Sequence, residues 1–447
     1  MLDPKVFKAY DVRGLYPSEL DEEGGYAIGR AYVEQFEPKR IAVGHDMRLS
    51  SPGMADAVIR GAVDAGADVS DLGLVGTEMV YFGVGHLDLD GGIAITASHN
   101  PKEYNGMKIV RRGALPVGGE SGLLEIRDRA LQPFGEPTGA GNVEKADIWP
   151  AFVDRVLSFV DVDAIRPLRV VIEAANGMAG VMLPPVLERL PQVEAVRYYF
   201  EPDGTFPNHE PNPLLPENRE FVMERTKAEG ADFGVAFDGD ADRCFFIDDT
   251  GEFVPGDFVT ALLAESILEK EPGAKIIYDV RASWAVRETI ERAGGIPLIN
   301  RVGHAFIKLR MREDEAVFGG EVSGHYYFRD FYQADSGVIP FLLMLDLVSR
   351  RGQKLSEILR PYRDRYFITG ELNTPVSDVA VKLQELKEGF ASQGEISHLD
   401  GISVDAEEWH FNVRPSNTEP LLRLNLEARS KELMEQKRDE VLDVIRA

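Results

Sequence analysis

The chain has 447 residues, long enough for roughly three domains with full cores, and its 44% hydrophobic and 28% charged content is ordinary for a globular protein. The formal net charge of −26 argues against a nucleic-acid partner, because phosphate backbones are bound through net cationic surfaces, but a few Arg and Lys in one cleft could still receive a small anion. No apolar run reaches membrane-spanning length, no basic-then-apolar leader opens the chain, and the lone Cys244 excludes an intrachain disulfide, so a cytoplasmic enzyme is expected.

Strand-like apolar runs alternate with helical patterns to about residue 365, which predicts α/β layers with parallel or mixed sheets. The cluster Phe7–Gly14 holds Tyr10 and Arg13. Arg40–Gly44 reads as a strand, and Gly44–Ser51 leads into a helix over 52–66. The strand Gly92–Ala97 runs into Thr96-Ala97-Ser98-His99-Asn100-Pro101, followed by Asn105, Gly106 and Lys108. A serine leaving a strand for a turn can be a fixed nucleophile beside donors and a cation, or only a turn residue. The Gly- and Pro-rich segment 133–142 reads as a linker.

A second α/β unit opens with the strand Leu168–Glu173, and its strand Asp232–Phe237 ends in Asp238-Gly239-Asp240-Ala241-Asp242-Arg243. Alternating carboxylates on a small-residue turn can converge on one hard divalent cation, Mg²⁺ or Mn²⁺, or form a solvated acidic turn. A calcium EF-hand fails, since its sixth and twelfth positions would be Arg243 and Asp249. A third unit begins near Pro255, with the strand Lys275–Val280, a helix over 284–293, and Gly319-Gly320-Glu321-Val322-Ser323-Gly324-His325. Small residues there permit close approach to a ligand, with Glu, Ser and His suited to sugar hydroxyls; a structural strand-end histidine is the alternative.

After about Phe367 the pattern becomes that of a small α+β domain. It has a helix over 378–388 capped by Ser377, strands around Ile402–Val404, Trp409–Val413 and Leu421–Leu426, and a charged C-terminal helix. Arg414-Pro415-Ser416-Asn417-Thr418-Glu419-Pro420, with Arg423, has the composition of a phosphate cradle or of a hairpin with exposed arginines.

Together, T-A-S-H-N-P, D-G-D-A-D-R, G-E-V-S-G-H and R-P-S-N-T-E-P, in that order, resemble the α-D-phosphohexomutase superfamily over essentially the whole chain. The resemblance implies four domains around a central cleft: three related mixed-sheet α/β domains (1–145, 146–255, 256–366) and a small C-terminal α+β domain (367–447). It implies a phosphate on Ser98 and one Mg²⁺ held by Ser98, Asp238, Asp240 and Asp242. Arg13, His99, Lys108, Arg243 and His325 are implied for charge stabilisation and proton transfer. Tyr10, Arg281, His304, Glu321 and Ser323 are implied at the sugar. Arg414, Ser416, Asn417, Thr418 and Arg423 are implied at the non-reacting phosphate.

The implied reaction interconverts hexose 1-phosphate and 6-phosphate through a hexose 1,6-bisphosphate, in a monomer or homodimer. Val322 favours the phosphomannomutase/phosphoglucomutase branch over the phosphoglucosamine branch, and a metal-dependent sugar phosphatase is the rival from another class. Lys8 stands where the family usually has arginine, Arg281 where it has lysine, and Glu78 where a proline follows Thr77.

Overall fold

A computed structural model describes residues 2–137, 139–416 and 421–447 of the chain. They form two compact units, Met1–Val254 with Ser323–Leu355 and Pro255–Val322 with Ser356–Ala447.

In the first unit the apolar runs become two mixed sheets. One is ordered Val12–Leu15, Tyr104–Arg111, Gly91–Ile95, Arg40–His45, Asp68–Leu74, Val143–Lys145, with Leu115–Pro116 added to Tyr104–Arg111. Arg40–His45 is parallel to both neighbours, and the strand Gly91–Ile95 is buried along its whole length, as its continuous apolar reading requires. Tyr104–Arg111 runs antiparallel to Gly91–Ile95, with Lys108 opposite Ala94. That register brings a lysine beside the strand that leads into Ser98.

Two helices, Glu22–Phe36 and Ser51–Asp64, pack at van der Waals contact of their backbones. A Cβ on Gly61 would lie 2.1 Å from the Tyr26 carbonyl oxygen, and one on Gly29 2.4 Å from that of Val58. The second sheet is ordered Phe253–Val254, Cys244–Asp248, Phe233–Phe237, Leu168–Glu173, Val193–Tyr198. Phe233–Phe237 is parallel to Leu168–Glu173 and antiparallel to Cys244–Asp248, so the acidic loop is the connection of a hairpin. The buried helix Val338–Arg351 sets Phe341 against Phe233 and Phe237.

In the second unit Lys275–Asp279 is parallel to both Ile296–Asn300 and Phe318–Gly320. An antiparallel sheet follows, ordered Phe367–Ile368, Leu421–Ala428, Trp409–Pro415, Ile402–Asp405, Glu395–Ser397, with Leu372–Pro375 also on Leu421–Ala428. The helices Val379–Phe390 and Lys431–Arg446 bury Leu386, Phe390, Val441 and Ile445 with Phe411, Val413 and Leu424 of that sheet. Trp284 ties the two parts of the unit together. Its backbone N–H donates to Glu427 Oε2 at 3.1 Å, its indole donates to Asp405 Oδ1 at 3.1 Å, and Arg429 stacks over its ring.

The three mixed α/β layers and the C-terminal antiparallel sheet are the expected fold class. Differences are local. The strand into Ser98 ends at Ile95 rather than Ala97, and the helix expected over 52–66 spans Ser51–Asp64. The cap of Val379–Phe390 is Asp378, not Ser377: Asp378 is extended, and its carboxylate accepts from the N–H groups of Ala380 and Val381.

Candidate active site

Ser98 sits in the left-handed region, φ +49°, which an L-residue with a Cβ adopts only when its surroundings fix it. Here they do. Its N–H donates to Thr96 Oγ1 at 2.8 Å, and its carbonyl accepts from Arg48 Nη2 at 2.7 Å. Arg48 is buried and also donates to the carbonyls of Asn100 (2.6 Å), Pro101 (2.8 Å) and Tyr104 (3.1 Å), so one guanidinium gathers the whole turn. The Ser98 hydroxyl donates to Asp238 Oδ2 at 2.8 Å. His99 Nδ1 lies 3.2 Å from Ser98 Oγ, and Arg243 Nη2 donates to it at 3.5 Å. Arg13, in Val12–Leu15, donates through Nε to Asp11 at 2.7 Å and through Nη1 to the Asn100 side chain and the Ala97 carbonyl.

Asp238, Asp240 and Asp242 are fully buried, with one carboxylate oxygen of each within 4.8 Å of the others. Lys108 Nζ donates to Asp240 Oδ2 at 2.8 Å and to Asp242 Oδ2, Thr77 Oγ1 also donates to Asp240 Oδ2, and Arg243 Nε donates to Asp238 at 2.9 Å. Gly239 lets this loop touch the serine turn, since a Cβ there would lie 2.4 Å from the Ser98 carbonyl oxygen.

Burial pushes the Asp238 carboxyl up to about 6, with Arg243 opposing the rise and Asp242 and Asp240 adding to it. Against the cost of its own burial, Lys108 is held cationic by Asp240 and Asp242. Oδ1 of Asp240 and Oδ1 of Asp242 remain buried with no hydrogen-bond partner among the described residues. Three converging carboxylates with two orphaned oxygens are an all-oxygen donor set, so the residues present fit a hard divalent metal ion.

Ser323 and His325 belong to the same unit. His325 bridges backbone to Arg243, its Nε2 lies 3.7 Å from Asp242 Oδ1, and its Nδ1 is 3.3 Å from Ser323 Oγ. One donor atom each of Asp242, His325 and Asp335 also lie within 4.8 Å of one another. His99 is held well below its ordinary value by burial and then by Arg243, Arg13 and Lys108, so it is neutral near pH 7. Tyr10 lies half-buried in the bend before Val12–Leu15. Glu78, at the second position of helix Thr77–His86, is fully buried. Desolvation, with Asp242 and Asp335, raises its carboxyl well above the ordinary range despite an opposing contribution from Ser336.

The second unit gathers a separate cationic group. Arg281 forms a fork on Asp279, Nε to Oδ1 and Nη2 to Oδ2, both at 2.9 Å. Glu371 accepts from Arg423 Nη1 (2.8 Å), Arg414 Nη2 (3.2 Å) and Arg281 Nη1 (3.4 Å), and Arg423 Nη2 donates to Ser416 Oγ at 3.4 Å. Glu321 accepts from the Gly303 N–H at 3.0 Å, which fixes the start of helix His304–Asp314 and so the base of His304. The G-E-V-S-G-H motif is divided between the units, Glu321 in the second and Ser323 and His325 in the first. Asn417 and Thr418 lie outside the described residues.

Sequence reading missed Arg48, Thr77, Asp335 and Glu371. Arg48 stood in a cluster already noted, and Asp335 precedes a Ser-Gly turn. Nothing local marks Glu371.

The models of phosphoglucomutase/phosphomannomutase alpha/beta/alpha domains I, II and III match residues 4–132, 150–251 and 255–366, and that of the C-terminal domain matches 371–444. The chain is 45% identical over 99% of both lengths to a protein of Xanthomonas campestris pv. campestris named for phosphohexose mutases. It is 44% identical to the phosphomannomutase of Escherichia coli K12, over 95% of this chain and 94% of that one. A phosphoglucomutase/phosphomannomutase family protein of Burkholderia thailandensis superposes with a TM-score of 0.91 at 32% identity, covering 99% of this chain and 97% of that one. With these matches end to end and the serine turn, acidic loop and arginine cluster in place, the chain belongs to the phosphoglucomutase/phosphomannomutase family of phosphohexose mutases.

Proposed function

We propose that this protein interconverts hexose 1-phosphate and hexose 6-phosphate through a phosphoserine at Ser98 and a bound hexose 1,6-bisphosphate, with mannose phosphates as preferred substrates. The observation that carries this reading is the Ser98 hydroxyl held between Asp238 and Arg243, beside carboxylates with two orphaned oxygens. The names of the relatives support the sugar.

In the first half-reaction the free hydroxyl oxygen of the hexose monophosphate attacks the phosphorus on Ser98. The bond from phosphorus to Ser98 Oγ breaks, and the hydroxyl proton passes to His325, the histidine placed by its bridge to Arg243. Arg243 and Lys108 face the charge that develops on the serine oxygen and the phosphoryl group. Asp238, Asp240 and Asp242 would hold Mg²⁺, which when bound offsets charge on the transferred phosphoryl oxygens. The non-reacting phosphate is assigned to Arg281, Arg414, Ser416 and Arg423, with Asn417 and Thr418 on sequence grounds, because guanidinium forks match phosphate oxygens. Glu321 and His304 are assigned to the sugar. The bisphosphate then turns, its other phosphate returns to Ser98, and the proton held by His325 goes back to the product hydroxyl.

The test compares wild type and Ser98→Ala on mannose, glucose and glucosamine 1-phosphates with a trace of hexose 1,6-bisphosphate. We expect the highest kcat/KM with mannose 1-phosphate, and loss of at least about a thousandfold in the variant. Near wild-type isomerisation by Ser98→Ala, or rapid phosphate release without isomerisation, would overturn the reading.

A further inference from the structure

We propose that Glu371 is a resident counter-ion of the arginine cluster in the second unit: its carboxylate holds the place of a phosphate on Arg281, Arg414 and Arg423 and competes with it. The inference rests on the reading of that cluster as the seat of the substrate's idle phosphate. Glu371 directly precedes the strand Leu372–Pro375, whose Leu372 pairs with Leu424 of Leu421–Ala428, so the backbone itself delivers the carboxylate beside Arg423. One oxygen, Oε1, accepts from Arg423, and the other, Oε2, accepts from both Arg414 and Arg281. Three guanidinium groups converging on one small anion form the donor set that a tetrahedral phosphate dianion would use. Nε of Arg414 and Nε of Arg423 are buried with no hydrogen-bond partner among the described residues, donors that a carboxylate leaves unused and an anion with more oxygens can reach.

Three carboxylates stand against this group, Asp279, Glu371 and, 3.9 Å from Arg281 Nη2, the buried Glu321, and only one can give way. Asp279 is wholly buried and fork-bonded to Arg281, whereas the Glu371 side chain is 23% exposed and can turn to solvent. Asp279 therefore orients Arg281, and Glu371 accepts from its Nη1. Against the effect of burial, the charges of Arg281, Arg414 and Arg423 bring the Glu371 carboxyl down to about 2, so it remains anionic wherever the enzyme would work.

The consequence concerns release. A bisphosphate that must turn end for end has to leave its cradle once per turnover, and a bare triple-arginine site would retain it. A tethered carboxylate that takes over the same N–H groups as the phosphate departs shortens that residence. Glu371 thus sets affinity at the cradle by competing with phosphate and takes no part in the chemistry.

The experiment titrates inorganic phosphate into full-length wild type, Glu371→Gln and Glu371→Ala at low ionic strength by calorimetry, with steady-state kinetics alongside. Both variants remove the charge, so either suffices if the other fails to fold. We expect phosphate to bind about tenfold tighter, KM and kcat to fall together, and the tightening to disappear in Glu371→Gln/Arg414→Gln. Unchanged or weaker phosphate binding, or a raised KM, would mean that Glu371 merely braces the arginines, and the proposal would fall. Because the titration needs no turnover, a wild type that binds phosphate as described but isomerises nothing would refute the functional reading and leave the counter-ion standing.

Discussion

Ser98 adopts a backbone conformation that its side chain disfavours, and a single guanidinium holds it there. Arg48 donates to the carbonyls of Ser98, Asn100, Pro101 and Tyr104 from a fully buried position. Lysine has the charge but not the planar spread of donors, so Arg48→Lys leaves buried carbonyls unsatisfied. We expect it to cost about 3 kcal/mol by urea denaturation and to lower kcat more than about tenfold with KM little changed. An unchanged kcat would show that the turn holds its shape unaided.

Glu371 yields a pH prediction whose sign follows from its carboxyl at about 2, below the ordinary carboxylate value. Its stabilising contribution is complete above the unfolded value of about 4.3 and is lost as pH falls toward 2. The stability gap between wild type and Glu371→Gln is therefore expected to be flat above about pH 5 and to close on acidification, as read from urea midpoints across pH. The difference in legibility has a physical basis. Asp238, Asp240 and Asp242 are neighbours in the chain and announced themselves, whereas Arg48 meets its carbonyls some fifty residues away and Glu371 meets Arg281 ninety residues away.

At the scale of elements, close approach is purchased with glycine. Gly239 brings the acidic hairpin loop against the serine turn, and Gly61 brings helix Ser51–Asp64 against Glu22–Phe36, each where a Cβ would overlap a carbonyl oxygen. Alanine at either site is expected to cost about 1–3 kcal/mol through overpacking. The two should part in kinetics: Gly239→Ala lowers kcat by displacing the carboxylates from Ser98, whereas Gly61→Ala leaves kcat per folded molecule near wild type. Equal kinetic effects, measured at matched folded fractions, would contradict this. Strands were legible because buried runs such as Gly91–Ile95 are apolar throughout, and the strand expected over Asp232–Phe237 before the acidic loop forms at Phe233–Phe237. Cap identity was not, since Ser377 and Asp378 are both competent and only backbone geometry chooses Asp378.

For the whole molecule, the net charge of −26 coexists with a local cluster of three arginines, Arg281, Arg414 and Arg423. Composition alone could not locate it, because its members come from segments far apart in sequence. The fold class was readable from the alternation of elements and from the ordered motifs. The division into two compact units was not, since it cuts the G-E-V-S-G-H motif between Val322 and Ser323. No described helix is long and apolar enough to cross a membrane.

If the orphaned oxygens of Asp240 and Asp242 await a cation, Mg²⁺ should raise the Tm of chelator-treated protein, and Asp240→Asn should lose most of that rise. A Tm insensitive to Mg²⁺ in wild type would remove the metal from the account.

Ser98 is the residue proposed to carry the phosphate. Dephosphorylated enzyme incubated with hexose 1,6-bisphosphate, then digested and mapped by mass spectrometry, tests that role directly. We expect one added phosphoryl group on the peptide containing Ser98, discharged on adding mannose 1-phosphate with equimolar bisphosphate formed. A phosphoryl group on another residue, or none while isomerisation proceeds, would contradict it.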